Sequence, residues 1–347
     1  MEYRQLGRSG LRVSKVCLGT MVGFKHEHQA TATAAIQEAI DLGVNFIDTA
    51  DVYVQSEEVV GAILAEGGRR DKVVLATKAG WYMGQGPNDF GASRAHLIEA
   101  CEASLRRLKT DRIDLFMLHV VDINTPLDET LRTLDQLVRQ GKVRYIGTSK
   151  FPAVLLVEAL AASDRLGLER FVSEQPAYNL LDRRAENDLV WTALRHGFGL
   201  TPFFPLAQGL LSGKYAADQA APAGTRMAGK TPAETGNFSP SVLAAVEKLR
   251  PLAAAKGLTL AEFSLAWLMQ QPAVTAPVVG ARTPEYVRSM VKACEIVFTA
   301  EELAQIDAVV VPGTHVADYY GANVYTPMRG NYRKGIRGGA YVPNFRL

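Results

Sequence analysis

Eight short apolar runs, most of them followed by a helical pattern, constrain the fold of this chain more than any other feature of its sequence. The runs are KVCLGT, VNFIDTA, VVLATKAG, IDLFMLH, YIGTSK, RFVSEQ, GLTPFFPL and TAPVVG. Continuous apolar runs are typical of parallel strands that are buried on both faces, and helical crossovers connect such strands. We therefore predict an α/β fold of the (β/α)8 TIM-barrel class.

The helical patterns between these runs set the expected helix positions. We predict helices near 30–42, 56–65, 92–108, 127–139, 151–163, 182–196, 240–256, 260–269 and 284–293. A doubly wound open sheet is the alternative architecture, but such a sheet usually carries a Gly-rich turn after its first strand. The turn here reads CLGTMVGF without a following G-x-G-x-x-G, which favours the barrel.

Both ends of the chain depart from this strand–helix rhythm. Residues 1–14 are predicted to form a small N-terminal hairpin. We assign residues 1–311 to a single barrel domain and residues 312–347, rich in Gly and Tyr, to an extended C-terminal tail. We expect the tail to pack on the barrel or on a partner subunit, so that a homo-oligomer can form through it. Residues 215–239 are predicted to be a long loop after the seventh strand.

Composition narrows the range of partners and compartments. The formal net charge of +2 is too small to attract nucleic acid or membrane surfaces strongly. No apolar stretch approaches the roughly 20 residues that span a bilayer, and the opening MEYRQLGRSGLRVS lacks the apolar core of a secretory signal. The three cysteines are widely spaced, which indicates reduced thiols rather than a disulfide framework or a CxxC metal site. We expect a cytoplasmic protein that binds neither nucleic acid nor membrane.

Four polar residues lie at or just after the ends of three neighbouring predicted strands. Asp48 and Tyr53 follow NFI, Lys78 ends VVLATK, and His119 ends IDLFMLH. Adjacent parallel strands lie roughly 4.8 Å apart, so side chains at the same end of three such strands can converge on one spot. A tyrosine, a lysine, a carboxylate and an imidazole in one place make a proton-transfer site, which predicts an enzyme.

The chemistry of these four residues centres on the phenol. A free tyrosine titrates near 10 and is a weak acid at neutral pH. A neighbouring ammonium, supplied by Lys78 and held by Asp48, is expected to lower that pKa. His119 can then donate a hydrogen bond to the same oxygen that Tyr53 protonates. The sequence thus predicts a general acid and a polarising group directed at a carbonyl oxygen.

These residues lie in motifs that resemble the aldo-keto reductase family. The motifs are DTADVY, the strand-end Lys78, LH at His119, GKVRYIGTSKF, QPAYNLLDR and PLAQGLLSGKY, and the resemblance covers roughly residues 2–310. It implies a barrel reductase that binds NADP(H) or NAD(H) in extended form without a Rossmann domain. It also implies that Tyr53 is the general acid or base, tuned by Lys78, and that His119 orients the substrate carbonyl.

The same resemblance assigns a set of cofactor-binding residues. Ser149 and Gln175 match residues that hold the nicotinamide carboxamide, and Phe203 matches an aromatic residue that stacks on the nicotinamide ring. The positions implied at the pyrophosphate are Leu206, Gln208, Gly209 and Lys214. The positions implied near the adenosine ribose are Gly280 and Arg282. Arg282 can pair with a 2′-phosphate, so NADP(H) is the preferred cofactor and NAD(H) the alternative.

Four positions depart from the family pattern. Lys150 stands where an asparagine is usual beside the substrate carbonyl and the nicotinamide. Phe204 replaces a common serine next to the stacking aromatic residue, and Ser289 with Met290 replaces a Glu–Asn pair placed against the adenine. These departures leave the predicted chemistry intact but weaken the assignment of the cofactor preference.

Substrate specificity is expected to arise from loops at the C-terminal ends of the strands. The residues that we expect to line the substrate pocket are Met21, Phe24, Lys25, Trp81, Tyr82 and Val120. An aromatic and apolar pocket with one lysine suits a medium-sized aldehyde, ketone or sugar, and Lys25 can favour an anionic one. His26 and His28 have a spacing that binds metal in strands, but the sequence offers no further ligands nearby, so we predict no metal site.

The sequence therefore predicts an NAD(P)(H)-dependent oxidoreductase that reduces an aldehyde, ketone or sugar carbonyl, or oxidises the corresponding alcohol or hemiacetal. Two alternatives remain at this point. One is a nucleotide-sensing regulatory subunit that uses the same barrel with little turnover. The other is a barrel enzyme of non-redox chemistry, which would bind no nicotinamide cofactor.

Overall fold

The computed structural model of the protein describes residues 1–53, 55–215, 221, 223, 228 and 239–316. Most of the predicted loop at 215–239 and the predicted tail beyond residue 316 therefore lie outside the described residues. The assignment of residues 1–311 to one domain stays a prediction.

The N-terminal residues form the predicted hairpin. Strands β1 (Tyr3–Gln5) and β2 (Arg12–Ser14) pair antiparallel, with Tyr3 opposite Ser14. The turn between them is closed by a hydrogen bond from the Leu6 amide to the Leu11 carbonyl at 2.9 Å.

Eight further strands form one sheet of parallel strands that alternate with helices, as in a (β/α)8 barrel. They are β3 (Cys17–Gly19), β4 (Phe46–Asp48), β5 (Val74–Ala79), β6 (Ile113–Leu118), β7 (Val143–Ser149), β8 (Phe171–Gln175), β9 (Gly199–Leu200) and β10 (Val278–Val279). The sheet order is β10-β3-β4-β5-β6-β7-β8-β9. Each predicted apolar run contains one strand. The sheet follows chain order without the reversal typical of a doubly wound sheet, so the prediction of the barrel class is confirmed.

The helices also follow the predicted pattern. They are α1 (Gln29–Asp41), α2 (Ser56–Leu64), α3 (Arg94–Arg107), α4 (Leu127–Arg139), α5 (Ala153–Leu166), α6 (Leu189–His196), α7 (Pro240–Ala255), α8 (Leu260–Met269), α9 (Pro284–Lys292) and α10 (Ala300–Val309). Two differ from expectation. The predicted helix 182–196 is shorter, because residues 184–186 form a separate 3₁₀ turn. The last helix, α10, was not predicted, although Thr299 and Glu302 form a capping box at its start.

The described residues group into two compact units, of which one comprises Thr20–Thr33 and Ile47–Gln175. Its strands β5 and β6 pair with Lys78 opposite Met117, and β7 and β8 pair with Ser149 opposite Gln175. Helices α2 and α3 approach closely at Gly61, where a β-carbon would lie 2.4 Å from the Arg107 carbonyl oxygen. This unit carries the four predicted catalytic residues.

The other unit comprises Met1–Gly19, Ala34–Phe46 and Pro176–Tyr319. Its interior contains Trp267, which contacts Tyr178 edge to face at 5.7 Å between ring centroids. The Arg183 guanidinium lies 5.0 Å from the Trp267 ring centroid and donates to Asp307 at 2.6 Å. The Arg183 amide donates to the carbonyl oxygen of Thr314 at 2.9 Å. This hydrogen bond connects the segment after α10 to the segment around Arg183 within the same unit.

No single helix in the described parts of the chain is long and apolar enough to cross a membrane. Helices α7 and α8 reach that length and composition only as a pair, bent by 88°.

Candidate active site

The ends of β4, β5 and β6 bring three predicted catalytic residues together. Asp48 is the last residue of β4, and Lys78 is the penultimate residue of β5. His119 follows β6, and its amide donates to the Ala79 carbonyl at 2.8 Å. Tyr53 lies in the turn after β4, where its amide donates to the Ala50 carbonyl at 3.1 Å. Because these strands are parallel, the side chains at their carboxyl ends meet at one edge, as the sequence predicts.

A buried ion pair connects Asp48 and Lys78. The Lys78 Nζ lies 2.6 Å from Asp48 Oδ1 and donates to the Thr49 carbonyl at 2.8 Å. Both side chains are almost fully buried, and a buried charge requires compensation of this kind. The pair therefore fixes the position of the ammonium, as expected for a group that acts on a neighbour.

That neighbour is Tyr53. The Lys78 Nζ lies 5.2 Å from the centroid of the Tyr53 ring. Burial raises the pKa of the Tyr53 phenol above its usual value of 10.0, while the Lys78 charge and a hydrogen bond from Lys78 oppose that rise. The net direction is opposite to the one expected from the sequence, because loss of solvation outweighs the attraction of the ammonium for a phenolate. Tyr53 is therefore a protonated group at neutral pH, able to donate its proton.

His119 is held as a neutral imidazole. Burial lowers the pKa of its ring well below 6.5, and the positive charges of Lys150 and Lys78 lower it further. Its ring stands edge to face with Tyr53 at 5.7 Å between centroids, and with Trp81 at 6.1 Å. No hydrogen-bond partner reaches its Nδ1 within the described parts of the chain. A neutral ring beside the phenol can donate one hydrogen bond to a carbonyl oxygen without carrying a charge.

Ser149 and Gln175, predicted to hold the nicotinamide carboxamide, lie side by side on β7 and β8. The Ser149 hydroxyl donates to the Gln175 carbonyl at 3.0 Å. The Gln175 Nε2 donates to Asp48 Oδ2 at 3.0 Å. Both residues are buried. The structure thus places these two predicted cofactor residues within one hydrogen-bond network with Asp48.

The predicted pyrophosphate segment lies in the other unit and has an unusual backbone. Phe204, Ala207 and Gln208 have φ of 54°, 50° and 58°, and Gly209 has φ of 101°. Residues other than glycine rarely adopt this left-handed region, and their clustering is typical of functional loops. Successive amides in such turns can point toward an anion. In the sequence only the glycine indicates this backbone, because alanine and phenylalanine have no preference for the left-handed conformation that they adopt here.

The remaining predicted cofactor residues lie in the same unit. A β-carbon on Gly209 would lie 3.4 Å from the Lys214 Nζ, so the lysine is adjacent to the strained turn. The Phe203 ring contacts Phe204 at 4.9 Å between centroids. The loop after β10 holds Gly280 and Arg282, which are exposed. Within the described parts of the chain, no atom approaches the β-carbon position of Gly280 within 4 Å.

The predicted substrate-pocket residues fall into two groups. Trp81 contacts the His119 ring as described, Tyr82 stacks on Phe90 at 4.3 Å, and Val120 is buried. Of the three after β3, Phe24 is buried, whereas Met21 is 46% exposed and the Lys25 side chain is 63% exposed. Of these six residues, Trp81 has the clearest contact with the catalytic group.

Two residues near the four predicted catalytic residues have no role assigned from the sequence. Asp51 is only 2% exposed, and neither of its carboxylate oxygens has a hydrogen-bond partner in the described residues. Burial, followed by the charge of Glu57, raises its pKa to about 7. Lys150, noted above only as a departure from the family pattern, donates from Nζ to the His119 carbonyl at 3.2 Å. Only the folded arrangement reveals the surroundings of either group.

No group of three or more potential ligands that could hold a metal ion occurs among the described residues. His26 lies 2.9 Å from Glu58 and His28 lies 3.4 Å from Glu27, all four on the protein surface. The three cysteines are buried.

Comparisons with known proteins agree with this geometry. Residues 15–311 match the profile of the Aldo/keto reductase family. A probable voltage-gated potassium channel subunit beta of Oryza sativa subsp. japonica is 38% identical over 319 residues, which cover 89% of this chain and 97% of the relative. Oxidoreductase YrpG of Bacillus subtilis (strain 168) is 38% identical over 332 residues, 92% of this chain and 99% of the relative. L-glyceraldehyde 3-phosphate reductase of Escherichia coli O157:H7 is 34% identical over 332 residues, with coverages of 92% and 93%.

Proposed function

This chain belongs to the aldo/keto reductase family, and we propose that it is a nicotinamide-dependent oxidoreductase acting on the carbonyl group of an aldehyde, ketone or sugar. The observation that carries this proposal is the convergence of four groups. Lys78 is 2.6 Å from Asp48 and 5.2 Å from the Tyr53 ring, which contacts the His119 ring at 5.7 Å. The arrangement combines a proton donor with a neutral hydrogen-bond donor at one spot.

Each residue has a defined part in the reaction. When bound, the reduced nicotinamide supplies hydride to the carbonyl carbon. Tyr53 donates its proton to the carbonyl oxygen, while His119 holds that oxygen by a hydrogen bond. Lys78, fixed by Asp48, stabilises the phenolate that Tyr53 becomes. In the reverse direction Tyr53 accepts the proton of an alcohol or hemiacetal.

The residues present fit such a cofactor. Buried Ser149 and Gln175 offer hydroxyl and amide groups next to Asp48, as a carboxamide requires. The left-handed backbone at 207–209, with Lys214 beside Gly209, suits a phosphate group. The Arg282 side chain is exposed, and its guanidinium can pair with a 2′-phosphate. We propose NADP(H) as the preferred cofactor and NAD(H) as the alternative.

The test follows nicotinamide absorbance with NADPH and with NADH against a panel of aldehydes, ketones and sugars. One relative is named for L-glyceraldehyde 3-phosphate, so this aldehyde belongs in the panel. We expect turnover that falls roughly 10²–10⁴-fold in Tyr53→Phe, the usual size of a general acid contribution. Cofactor affinity, measured by fluorescence titration, should change little. Turnover retained in Tyr53→Phe would contradict the assignment of the general acid.

The same assay addresses the nucleotide-sensing alternative. A sensing subunit would bind cofactor tightly and turn over every panel member slowly. Relatives named as potassium channel beta subunits are compatible with this outcome but do not favour it over catalysis. A protein that binds neither cofactor would contradict both readings.

A further inference from the structure

Lys150 places an ammonium group beside the catalytic histidine. Its Nζ donates to the His119 carbonyl oxygen at 3.2 Å and lies 5.2 Å from the centroid of the Trp81 ring. The Trp81 ring in turn contacts the His119 ring at 6.1 Å. The ammonium is therefore located among the side chains that surround the expected position of the substrate carbonyl.

The backbone of Lys150 is strained in a way that fixes this position. Its φ is 64°, in the left-handed region that residues with a β-carbon rarely adopt. Its amide donates to the Gln175 carbonyl at 3.2 Å, directly after Ser149 at the end of β7. A lysine has no intrinsic preference for this conformation, and strain of this kind is concentrated at functional sites. The turn directs a long cationic side chain toward His119.

The surroundings of Lys150 favour an anionic ligand. Burial, and after it the charge of Lys78, lower the pKa of its ammonium to about 7, although the charge of Glu174 opposes this change. Glu174 accepts hydrogen bonds from the Thr148 hydroxyl at 2.5 Å and from the Phe151 amide at 3.1 Å. Burial raises the pKa of this carboxyl to about 8, although its hydrogen bonds and the charge of Lys150 oppose the rise. An anion bound at Lys150 would favour the charged form of the ammonium.

We propose that Lys150 is a specificity-determining residue that binds an anionic group of the substrate, so that the preferred substrates are small carbonyl compounds carrying a phosphate or a carboxylate. This inference rests on the proposed function, because it concerns the substrate of the same site. It replaces Lys25 as the recognition group, since the Lys25 side chain is 63% exposed and lies 3.9 Å from Glu27.

The experiment compares kcat/KM for matched pairs of anionic and neutral substrates. Glyceraldehyde 3-phosphate against glyceraldehyde tests a phosphate, and succinate semialdehyde against butanal tests a carboxylate. We expect the wild-type protein to prefer the anionic member of at least one pair by roughly 10- to 100-fold, the effect of a charge-assisted hydrogen bond. In Lys150→Met this preference should fall to roughly threefold or less. The pair that shows the effect identifies the anionic group.

Two matched lysine variants serve as controls. Lys25→Met removes the other candidate cation of the site, and Lys72→Met removes an exposed lysine of the same unit. Both should keep the anionic preference. A preference that is lost in Lys25→Met and retained in Lys150→Met would overturn the proposal. A wild-type protein without any preference, or a Lys150→Met variant that loses only cofactor affinity, would overturn it too.

A second variant and a pH dependence distinguish a failure of this inference from misfolding of the variant and from a failure of the proposed function. If Lys150→Met does not fold, Lys150→Gln replaces it, and the pH dependence of the wild-type preference gives a second test. That preference should decline as the pH rises through about 7, because Lys150, which faces Lys78, Glu174 and neutral His119, loses its proton. A preference unchanged up to about pH 9 would contradict the inference. Absence of turnover on every carbonyl compound of the panel, anionic and neutral, would contradict the proposed function instead.

Discussion

The Gln175 side-chain amide donates a hydrogen bond to Asp48 Oδ2 at 3.0 Å, while Lys78 occupies Oδ1 of the same carboxylate at 2.6 Å. One carboxylate thus holds both the lysine that acts on Tyr53 and a residue expected to contact the nicotinamide. A buried carboxylate is costly unless both of its oxygens accept hydrogen bonds. Loss of either partner is therefore expected to disturb the position of Asp48 and, through it, of the other partner.

This relationship predicts that Gln175→Met impairs both cofactor binding and turnover. The substitution keeps the side-chain length but leaves Asp48 Oδ2 without its donor. We expect the cofactor Kd to rise and kcat at saturating cofactor to fall by about tenfold, since a lost hydrogen bond to a charged group amounts to about 1.5–3 kcal/mol. Ser173→Ala on the same strand is the control, because its hydroxyl has no partner in the described residues. A rise in Kd with unchanged kcat would show that Gln175 does not position Asp48.

The neutral state of His119 gives a second prediction. Since burial lowers the pKa of its ring well below 6.5, the ring acts as an uncharged hydrogen-bond donor. His119→Asn, which keeps a neutral donor, should retain at least about tenfold more turnover than His119→Leu. By NMR, the His119 ring signals should not move between about pH 5.5 and about pH 8. A titration within that range, or equal turnover of the two variants, would contradict the neutral-donor role.

The buried carboxyl of Asp51 predicts a dependence of stability on pH. Its pKa is about 7 in the folded protein, against 3.8 for an ordinary aspartate, and it faces Glu57, Arg107 and Lys78. Because the folded state binds the proton more tightly, stability declines as the pH rises from about 4 to about 7. Asp51→Asn removes this titration, so the variant should gain roughly 1–3 kcal/mol relative to wild type between pH 5 and pH 8. Urea unfolding of the variant and the wild type at pH 5 and at pH 8 measures this difference in the free energy of unfolding.

The control for this prediction is Asp128→Asn, which changes an exposed carboxylate on α4. It should show no comparable trend. A stability difference between Asp51→Asn and wild type that is the same at pH 5 and pH 8 would mean that Asp51 is ionised throughout.

Close packing between α2 and α3 gives a fourth prediction. A β-carbon at Gly61 would lie 2.4 Å from the Arg107 carbonyl oxygen and 2.6 Å from the Leu108 backbone. Gly61→Ala should therefore lower the free energy of unfolding by roughly 1–3 kcal/mol through overpacking, despite the better helix propensity of alanine. Gly280→Ala should be close to neutral, because no atom of the described residues lies within 4 Å of the β-carbon position. Thermal and urea unfolding of the two variants decides the matter, and equal stability would show that the helices can separate freely.

Much of the fold was readable from the sequence, and the reasons are local. Each of the eight apolar runs contains a strand, because parallel strands buried on both faces need continuous apolar residues. Helix α8 begins at a capping box formed by Thr259 and Glu262, and α10 begins at an equivalent one. The capping box of α10 is visible in the sequence as T-x-x-E, so the start of this helix is encoded locally. The 3₁₀ turn at Arg184–Glu186, which separates α6 from the start of the predicted helix 182–196, has no comparable signal in the sequence.

Residue type and position at strand ends also sufficed to predict that Asp48, Tyr53, Lys78 and His119 lie together. Tertiary structure alone decided how those groups behave. Burial, which depends on every neighbouring element, raises the pKa of Tyr53 where the lysine alone would lower it. The same applies to Asp51, whose carboxylate has no hydrogen-bond partner among the described residues, and to Lys150, whose left-handed turn directs its ammonium toward His119. Patterning along the chain fixes which groups meet, whereas solvation and distance in the folded protein fix their charges.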